Sequence, residues 1–425
     1  MARSLAEWLD WQSRVHPLAM DFTLERITTL LARLPIRRPS GPLFVVGGTN
    51  GKGSVAALLS ALMAADGRRV GCYTSPHLVR YQERMLIDGR EIDDGVLIDA
   101  FERIEAARGT ITLTFFEYAT AAAVLAFSDA RLDSWVLEVG LGGRLDAVNA
   151  VDGDCAIVVS VGLDHTDLLG RDIENIAREK AGIFRRGRPA ILGQRFLPRA
   201  MAELAASLPC PLEQLGRDFD VEVTGQRFSW RRHSQALTDL PAPALAGAIQ
   251  FDNAGTALAG LAATHTLPSR ATVVTGLGRA QLRGRFERVT TPDGLEWVLD
   301  VAHNPPAAAA LAANLAAMPG TGRTIAVIGM LADKDAAGVG RALAPEIEGW
   351  LAVTLTGDRG LTHAALAERL ASSLGPPVAS ADTVAQGLEL ARARTAAGDR
   401  VVVLGSFHTV GPALEWLRLY SGAPR

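Results

Sequence analysis

Short runs of β-branched and aromatic residues alternate along this chain with alanine-rich stretches of helical length, the pattern of a parallel sheet covered by helices. In the first part the apolar runs fall at residues 43–46, 135–139, 156–161 and 189–192, and each predicts a buried strand. Apolar segments of buried-helix length occupy residues 55–65 and 119–127. The rhythm breaks over residues 210–233, where Val221, Val223, Phe228 and Trp230 occupy alternate positions and predict a small antiparallel excursion.

From residue 296 the alternation restarts. Strand 297–301, helix 306–318, strand 324–330 and a further helix are followed by strand 351–356, helices 362–374 and 384–397, strand 400–404 and a last helix. That order predicts a second, smaller α/β unit. Residues 267–284 lie between the two, with a proline, glycines, three arginines and little periodicity, so the linker is placed near 278–283. A chain of 425 residues also exceeds what one core usually fills. The expected division is 1–280 and 284–425, with the active site in the crevice between the units.

Apolar residues make up 48% of the chain, ample for two cores. A formal net charge of −3 with interspersed signs offers no basic field for nucleic acid or an anionic membrane, so neither partner is expected. Cys72, Cys155 and Cys210 form no CxxC pair, which argues against a disulfide framework or a cysteine zinc site. The N-terminal stretch MARSLAEWLDWQSRVHP carries charges and tryptophans where a signal peptide needs an uninterrupted apolar segment. No run approaches the roughly 18 to 20 apolar residues of a membrane span. A soluble, cytoplasmic chain is the expectation.

The first apolar run leads directly into VGGTNGKGS, residues 46–54, followed by a helix-like run. Strand, glycine turn and helix start in that order form a cradle for phosphate, because glycine lets the backbone approach an anion and the helix N-terminus adds its positive dipole. Gly48, Thr49, Asn50, Gly51, Lys52, Gly53 and Ser54 are the candidate ATP-binding residues. Lys52 supplies a point charge for the outer phosphates and Ser54 a hydroxyl for magnesium. The general pattern GxxxxGK[ST] is not met, since Val46 and Gly53 occupy its first and last positions; one extra glycine separates lysine from hydroxyl.

Glu138 ends a strand beside this loop, where a carboxylate can hold magnesium; a solvated strand-end glutamate is the plain alternative. His165 follows the next strand, although magnesium prefers oxygen to imidazole. Lys180 shares a helix face with Ile173, Ile176 and Ala177, where it either snorkels to solvent or is chemically used. Asp300, His303 and Asn304 stand at a strand-to-helix turn of the second unit, with Pro305 and Pro306 as helix starts permit. They either face the nucleotide or form an ordinary cap.

Together these strings resemble folylpolyglutamate synthase and its bifunctional relative, dihydrofolate synthase, in the folate branch of the Mur ligase superfamily. The resemblance runs through GTNGKGS, TSPHL (74–78), FFEYAT (115–120), EVGLGGRLDAVN, DHTDLLG and EKAGIFR. It continues through GRFERV (284–289), DVAHNP, MLADKD (330–335) and GSFHTVG (405–411). It implies a P-loop-type ATPase domain of Mur ligase central type that also binds folate, plus a Rossmann-like C-terminal glutamate ligase domain. It further implies magnesium, at two sites, approached by Ser54, Glu138, His165 and a carbamylated Lys180. Asn253 is implied at the adenine, Arg285 at the phosphates, Asp300 at the ribose or the adjoining catalytic network, and His303 where the amino acid reacts. On the pterin side it points to Arg80, Phe116 and Asp146, with Phe116 stacking on a flat ring.

The implied reaction phosphorylates a carboxylate of dihydropteroate or a reduced folate and lets L-glutamate attack the acyl phosphate, in a monomer. A nucleotide-driven switch accounts for the loop but leaves the His303 turn and Lys180 without a task. A Mur-type enzyme acting on a nucleotide-linked muramyl substrate is the alternative among ligases, and TSPHL and FFEYAT argue for the folate branch.

Overall fold

Two sheets, each with an apolar core on both faces, account for most of the chain in this computed structural model, which describes residues 3–18, 20–318 and 322–419. Residues 420–425, expected in the second domain, and Met1 and Ala2 of the N-terminal stretch lie outside the described residues. No helix among the described residues is long and apolar enough to cross a membrane.

The first sheet comprises β1 (Leu43–Gly47), β2 (Val70–Tyr73), β3 (Met85–Ile87), β4 (Arg90–Glu91), β5 (Ser134–Glu138), β6 (Cys155–Val158), β7 (Ala190–Leu192) and β8 (Leu212–Gln214). Its spatial order is β4-β3-β2-β5-β1-β6-β7-β8, parallel except for β3 and β4 at one edge. All five residues of β1 are buried, Leu43 and Val45 on one face and Phe44 and Val46 on the other, as a strand covered on both sides requires. The covering helices are α1 (Leu5–Val15), α2 (Glu25–Arg33), α3 (Lys52–Ala65), α4 (Asp94–Arg108), α5 (Phe115–Asp129), α6 (Thr166–Leu169), α7 (Ile173–Ala181), α8 (Arg199–Ser207), α9 (Ile249–Ala263) and α10 (Arg270–Arg279). The FFEYAT string starts α5: Thr114 and Glu117 form a capping box, and Glu117 also pairs with Arg26 at 3.2 Å.

Two expectations need adjustment. Residues 212–214 extend the main sheet in parallel, and the antiparallel excursion is β9 (Phe219–Thr224), β10 (Arg227–Arg232) and β11 (Gln235–Pro241), later in the chain than 210–233. Its inward face holds Phe228 and Trp230 against α9, with Trp230 donating to the Gly255 carbonyl at 3.0 Å. The expected linker 278–283 begins inside α10, because Ser269 caps a helix that persists to Arg279 despite its glycines.

The second sheet contains β12 (Glu287–Thr290), β13 (Glu296–Asp300), β14 (Thr324–Ile328), β15 (Gly349–Val353), β16 (Ala379–Ala381) and β17 (Arg400–Leu404), ordered β12-β13-β17-β14-β15-β16. Only β12 is antiparallel to its neighbour. Helices α11 (Pro305–Ala316), α12 (Ala336–Leu343), α13 (His363–Leu374), α14 (Val384–Arg394) and α15 (Phe407–Trp416) cover it. Leu78 and Val79, from the loop after β2, pack into this second core beside Val301 and Val410. Gly411 of α15 meets Leu78 so closely that a Cβ there would lie 2.1 Å from the Leu78 carbonyl oxygen. The two lobes thus share an apolar joint.

Candidate active site

The glycine turn follows β1 and opens α3, with Gly51 at φ +84° as the left-handed residue before the helix. A side chain at Gly51 would meet Val159 at 2.8 Å and the Asn253 Oδ1 at 3.0 Å. The turn is braced against the segment after β6: Thr49 N donates to Ser160 O at 2.8 Å and Asn50 N to Ser160 Oγ at 2.9 Å. Thr49 Oγ1 donates to Gly162 O at 3.1 Å and accepts from Gly162 N at 2.9 Å. Two loop amides are therefore tied back, and the first-turn amides of α3 have no intrahelical acceptor, as an anion-binding helix start requires.

Lys52 folds over the turn, its Nζ donating to the carbonyls of Gly48 (3.2 Å) and Thr49 (3.3 Å). Burial pushes its pKa down, against the upward pull of Glu138 and Asp164. Beneath the loop, Asn253 Nδ2 donates to Gln250 Oε1 at 2.9 Å and Gln250 Nε2 to Ser54 Oγ at 3.4 Å. Asp252, one residue before, pairs with Arg195 at 3.3 Å, which also holds Asp220 of β9 at 3.0 Å. The antiparallel excursion thereby anchors the helix that carries Asn253.

Glu138 ends β5 directly beside Val46, buried, and its Oε2 accepts from Ser75 N at 3.1 Å. Burial raises its pKa and Lys52 is the strongest opposing charge. Lys180 does not snorkel: it is 3% exposed among Ile176, Ala177 and Ala181. Burial, with help from the Lys52 charge, lowers its pKa to about 7.

In the second lobe, Asp300 ends β13 and its two oxygens accept from Phe286 N and Ala302 N, each at 2.8 Å. Arg285 lies half-buried over the Phe407 ring at 5.2 Å; desolvation lowers its pKa while Asp300 and Glu138 raise it, so it stands between carboxylates of both lobes. His303 turns Nδ1 to the Val301 carbonyl at 2.8 Å and Nε2 to Asp164 Oδ2 at 3.3 Å. Asn304 caps α11 by accepting from Ala307 N at 3.0 Å, and exchanges two 3.0 Å hydrogen bonds with the side chain of Asn50.

Asp164 is the hub of this contact. It accepts from Lys334 Nζ at 2.6 Å and from Asn304 Nδ2 at 2.9 Å. Burial acts to raise its pKa, but the His303 hydrogen bond and the Lys334 and His165 charges hold it well below the usual carboxylate range. His165, in the left-handed region at φ +49°, lies 3.3 Å from Lys334 Nζ and 3.9 Å from Asp333. Burial, then Lys334, lowers its pKa to about 4, so the ring is neutral at pH 7.

The structure thus gathers the loop, Glu138, Asn253 and Arg285 around one crevice, and engages His165 with the second lobe. Among the described residues no three His, Cys, Asp or Glu side chains cluster at metal-ligand spacing. Glu138 and Ser54 offer the oxygen donors that a hard divalent cation prefers, and a neutral His165 leaves one ring nitrogen without a proton. An unmodified Lys180 repels a cation.

A cavity of about 400 Å³ opens nearby, lined by Phe22, Leu141, Asp146, Leu168, Asn175 and Arg178 among others. Asp146 fixes its wall, accepting from Leu141 N and Val148 N at 2.9 Å, and burial raises its pKa to about 6. Phe116 lies against Gly140, where a Cβ would come within 2.6 Å of the ring. Arg80 does not line this cavity; its guanidinium is 3.6 Å from Glu91. Asn50 as a bridging side chain, Ser160, Asp164 and Lys334 escape a reading of the sequence, although DHTDLLG and MLADKD contain the last two.

Two family descriptions match the chain: the Mur ligase middle domain over residues 46–193 and the Mur ligase glutamate ligase domain over residues 284–407. The dihydrofolate synthase/folylpolyglutamate synthase of Escherichia coli (strain K12) is 42% identical over 97% of this chain and 96% of its own. The protein of that name from Haemophilus influenzae is 38% identical over 96% of each. The solved structure of E. coli FolC in complex with DHPP and ADP superposes with a TM-score of 0.92 over 98% of both chains, at 42% identity. A bifunctional folylpolyglutamate synthase/dihydrofolate synthase with Mn, AMPPNP and L-glutamate bound gives 0.90 at 40% identity, again over 98% of both. This chain belongs to the dihydrofolate synthase/folylpolyglutamate synthase family, the folate branch of the Mur ligases.

Proposed function

We propose that this protein joins L-glutamate to dihydropteroate, to a reduced folate, or to both, using ATP and an acyl-phosphate intermediate. One observation carries the reading: phosphate-loop residues of the first lobe meet the His303–Asn304 turn of the second, so a phosphoryl donor and an attacking amine can share one crevice. The γ-phosphoryl passes to the substrate carboxylate, and the glutamate amine attacks the acyl carbon and expels phosphate. Lys52 and Arg285 stabilise charge on the phosphoryl oxygens, and the closed lobes exclude water that would hydrolyse the intermediate.

Residues 1–280 would form the nucleotide- and folate-binding domain and 284–425 the glutamate ligase domain. Divalent cations, two in this reading, would be held by Ser54, Glu138, His165 and Lys180; bound there, they neutralise phosphate charge and polarise the phosphoryl group. Lys180 fits this role as a carbamate: a buried amine with a pKa near 7 attacks carbon dioxide, loses a proton and becomes an anionic oxygen ligand. Asn253 and Asp300 are assigned to the adenosine, His303 to the incoming amine, and Asp146, Phe116 and Arg80 to the pterin side. One chain supplies every one of these groups, so a monomer suffices. Purified protein with magnesium, ATP and glutamate, given dihydropteroate and a reduced folate in separate reactions, tests the reading: amide product with at least one is expected, and phosphate release without amide from either rejects it.

A further inference from the structure

Lys334 follows β14 on a loop of the second lobe, and its side chain is 5% exposed. Its ammonium lies 2.6 Å from Oδ1 of Asp164, 3.5 Å from Asp333 and 3.3 Å from His165 Nε2. Asp333 already has a guanidinium, Arg359 at 2.8 Å, so Lys334 is not required to neutralise it. Among the described residues no arginine contacts Asp164, and its oxygens divide their partners. Oδ1 takes Lys334 and its neighbour's amide, His165 N at 2.8 Å; Oδ2 takes Asn304 at 2.9 Å and faces His303 at 3.3 Å. One buried carboxylate of the first lobe therefore grips side chains from two separate loops of the second, those after β13 and β14.

We propose that Lys334 is a positioning residue: by holding Asp164 across the crevice it sets the register in which His303 and Asn304 meet the phosphate loop. The inference rests on the ligase reading above. Without the ammonium, the carboxylate loses its closest partner, so it turns or hydrates. His303 and Asn304 then lose the group that orients them, and Asn304 carries that displacement to Asn50 in the loop. Nucleotide contacts made by Lys52 and the α3 amides are untouched. The effect falls on capture of the acyl phosphate by the amine, a step sensitive to misplacements of about an ångström.

A double-variant cycle in the full chain tests this. Lys334→Met and Asp164→Asn, alone and combined, are compared at saturating ATP, pterin substrate and glutamate. Amide formation, total phosphate release, nucleotide affinity and melting temperature are followed. Lys334→Met is expected to lower the kcat for amide about 30-fold or more with nucleotide affinity changed less than about threefold, and to raise the phosphate released per amide formed. The combined variant is expected to be no worse than the weaker single one, because residues acting as a unit are non-additive. Lys334→Arg, keeping the charge, is expected to recover part of the loss. Additive losses, an unchanged amide-to-phosphate ratio, or equal losses in nucleotide affinity and kcat overturn the proposal. Should Lys334→Met fail to fold, Lys334→Gln carries the same cycle, and failure of both to fold overturns it in favour of a purely structural pair. A wild-type protein that forms no amide instead overturns the ligase reading, and this proposal with it.

Discussion

Asn50 and Asn304, 254 residues apart, face each other amide to amide and exchange two hydrogen bonds of 3.0 Å. The backbone of Asn50 is fixed to Ser160 in the first lobe, so its side chain is committed to the second. Asn304 also caps α11 and reaches Asp164. The glycine turn of the first lobe is thereby in direct contact with the turn that carries His303 in the second.

Replacing Asn304 should therefore injure both stability and turnover. Asn304→Ala removes a helix cap and strands the Asn50 amide, each costing about 1 kcal/mol or somewhat more. Thermal unfolding should shift down by several degrees, and kcat should fall more than nucleotide affinity. Equal stability with an unaltered kcat would show the contact to be incidental.

Lys52→Ala should remove the charge that meets the outer phosphates. ATP turnover is expected to drop about 100-fold or more, comparable with the loss of one preorganised donor in other enzymes. Turnover like that of the wild type would take the loop out of the account.

For Lys180 the expected chemistry is dependence on carbon dioxide. Its pKa near 7 leaves enough neutral amine at pH 7 to react. Activity should decline in rigorously degassed buffer and return on adding bicarbonate. Lys180→Ala should be nearly inactive and partly rescued by short carboxylates. An activity indifferent to bicarbonate would count against the carbamate.

The apolar joint gives a stability test at a contact between the lobes. At Gly411 a Cβ would come 2.1 Å from the Leu78 carbonyl oxygen, a backbone atom that cannot swing aside. Gly411→Ala should cost roughly 1 to 3 kcal/mol and lower the melting temperature. An unchanged melting curve would mean that the lobes do not pack at this contact.

The loop, Glu138 and the His303 turn were legible in the sequence because each is local: a strand, a polar end and a helix start in consecutive residues. Lys180 was ambiguous until burial removed the snorkelling alternative. Strand β2 gave no clear signal because it is short and contains Gly71, where the Phe127 ring leaves a Cβ only 2.7 Å. The Asp252 to Arg195 pair that steadies the helix of Asn253 joins residues 57 positions apart, beyond any local pattern. The Asn50 to Asn304 and Asp164 to Lys334 contacts were invisible for a similar reason. Their partners lie 254 and 170 residues apart, and no spacing rule spans two lobes.

The acyl phosphate is tested most directly by isotope transfer. Dihydropteroate, or a reduced folate if that is the accepted substrate, is labelled with oxygen-18 in the reacting carboxylate and turned over with ATP, magnesium and glutamate. The released phosphate is then analysed by mass. Attack of the carboxylate on the γ-phosphorus followed by capture at carbon predicts one labelled oxygen in each phosphate formed with product. Amide product accompanied by unlabelled phosphate would contradict it.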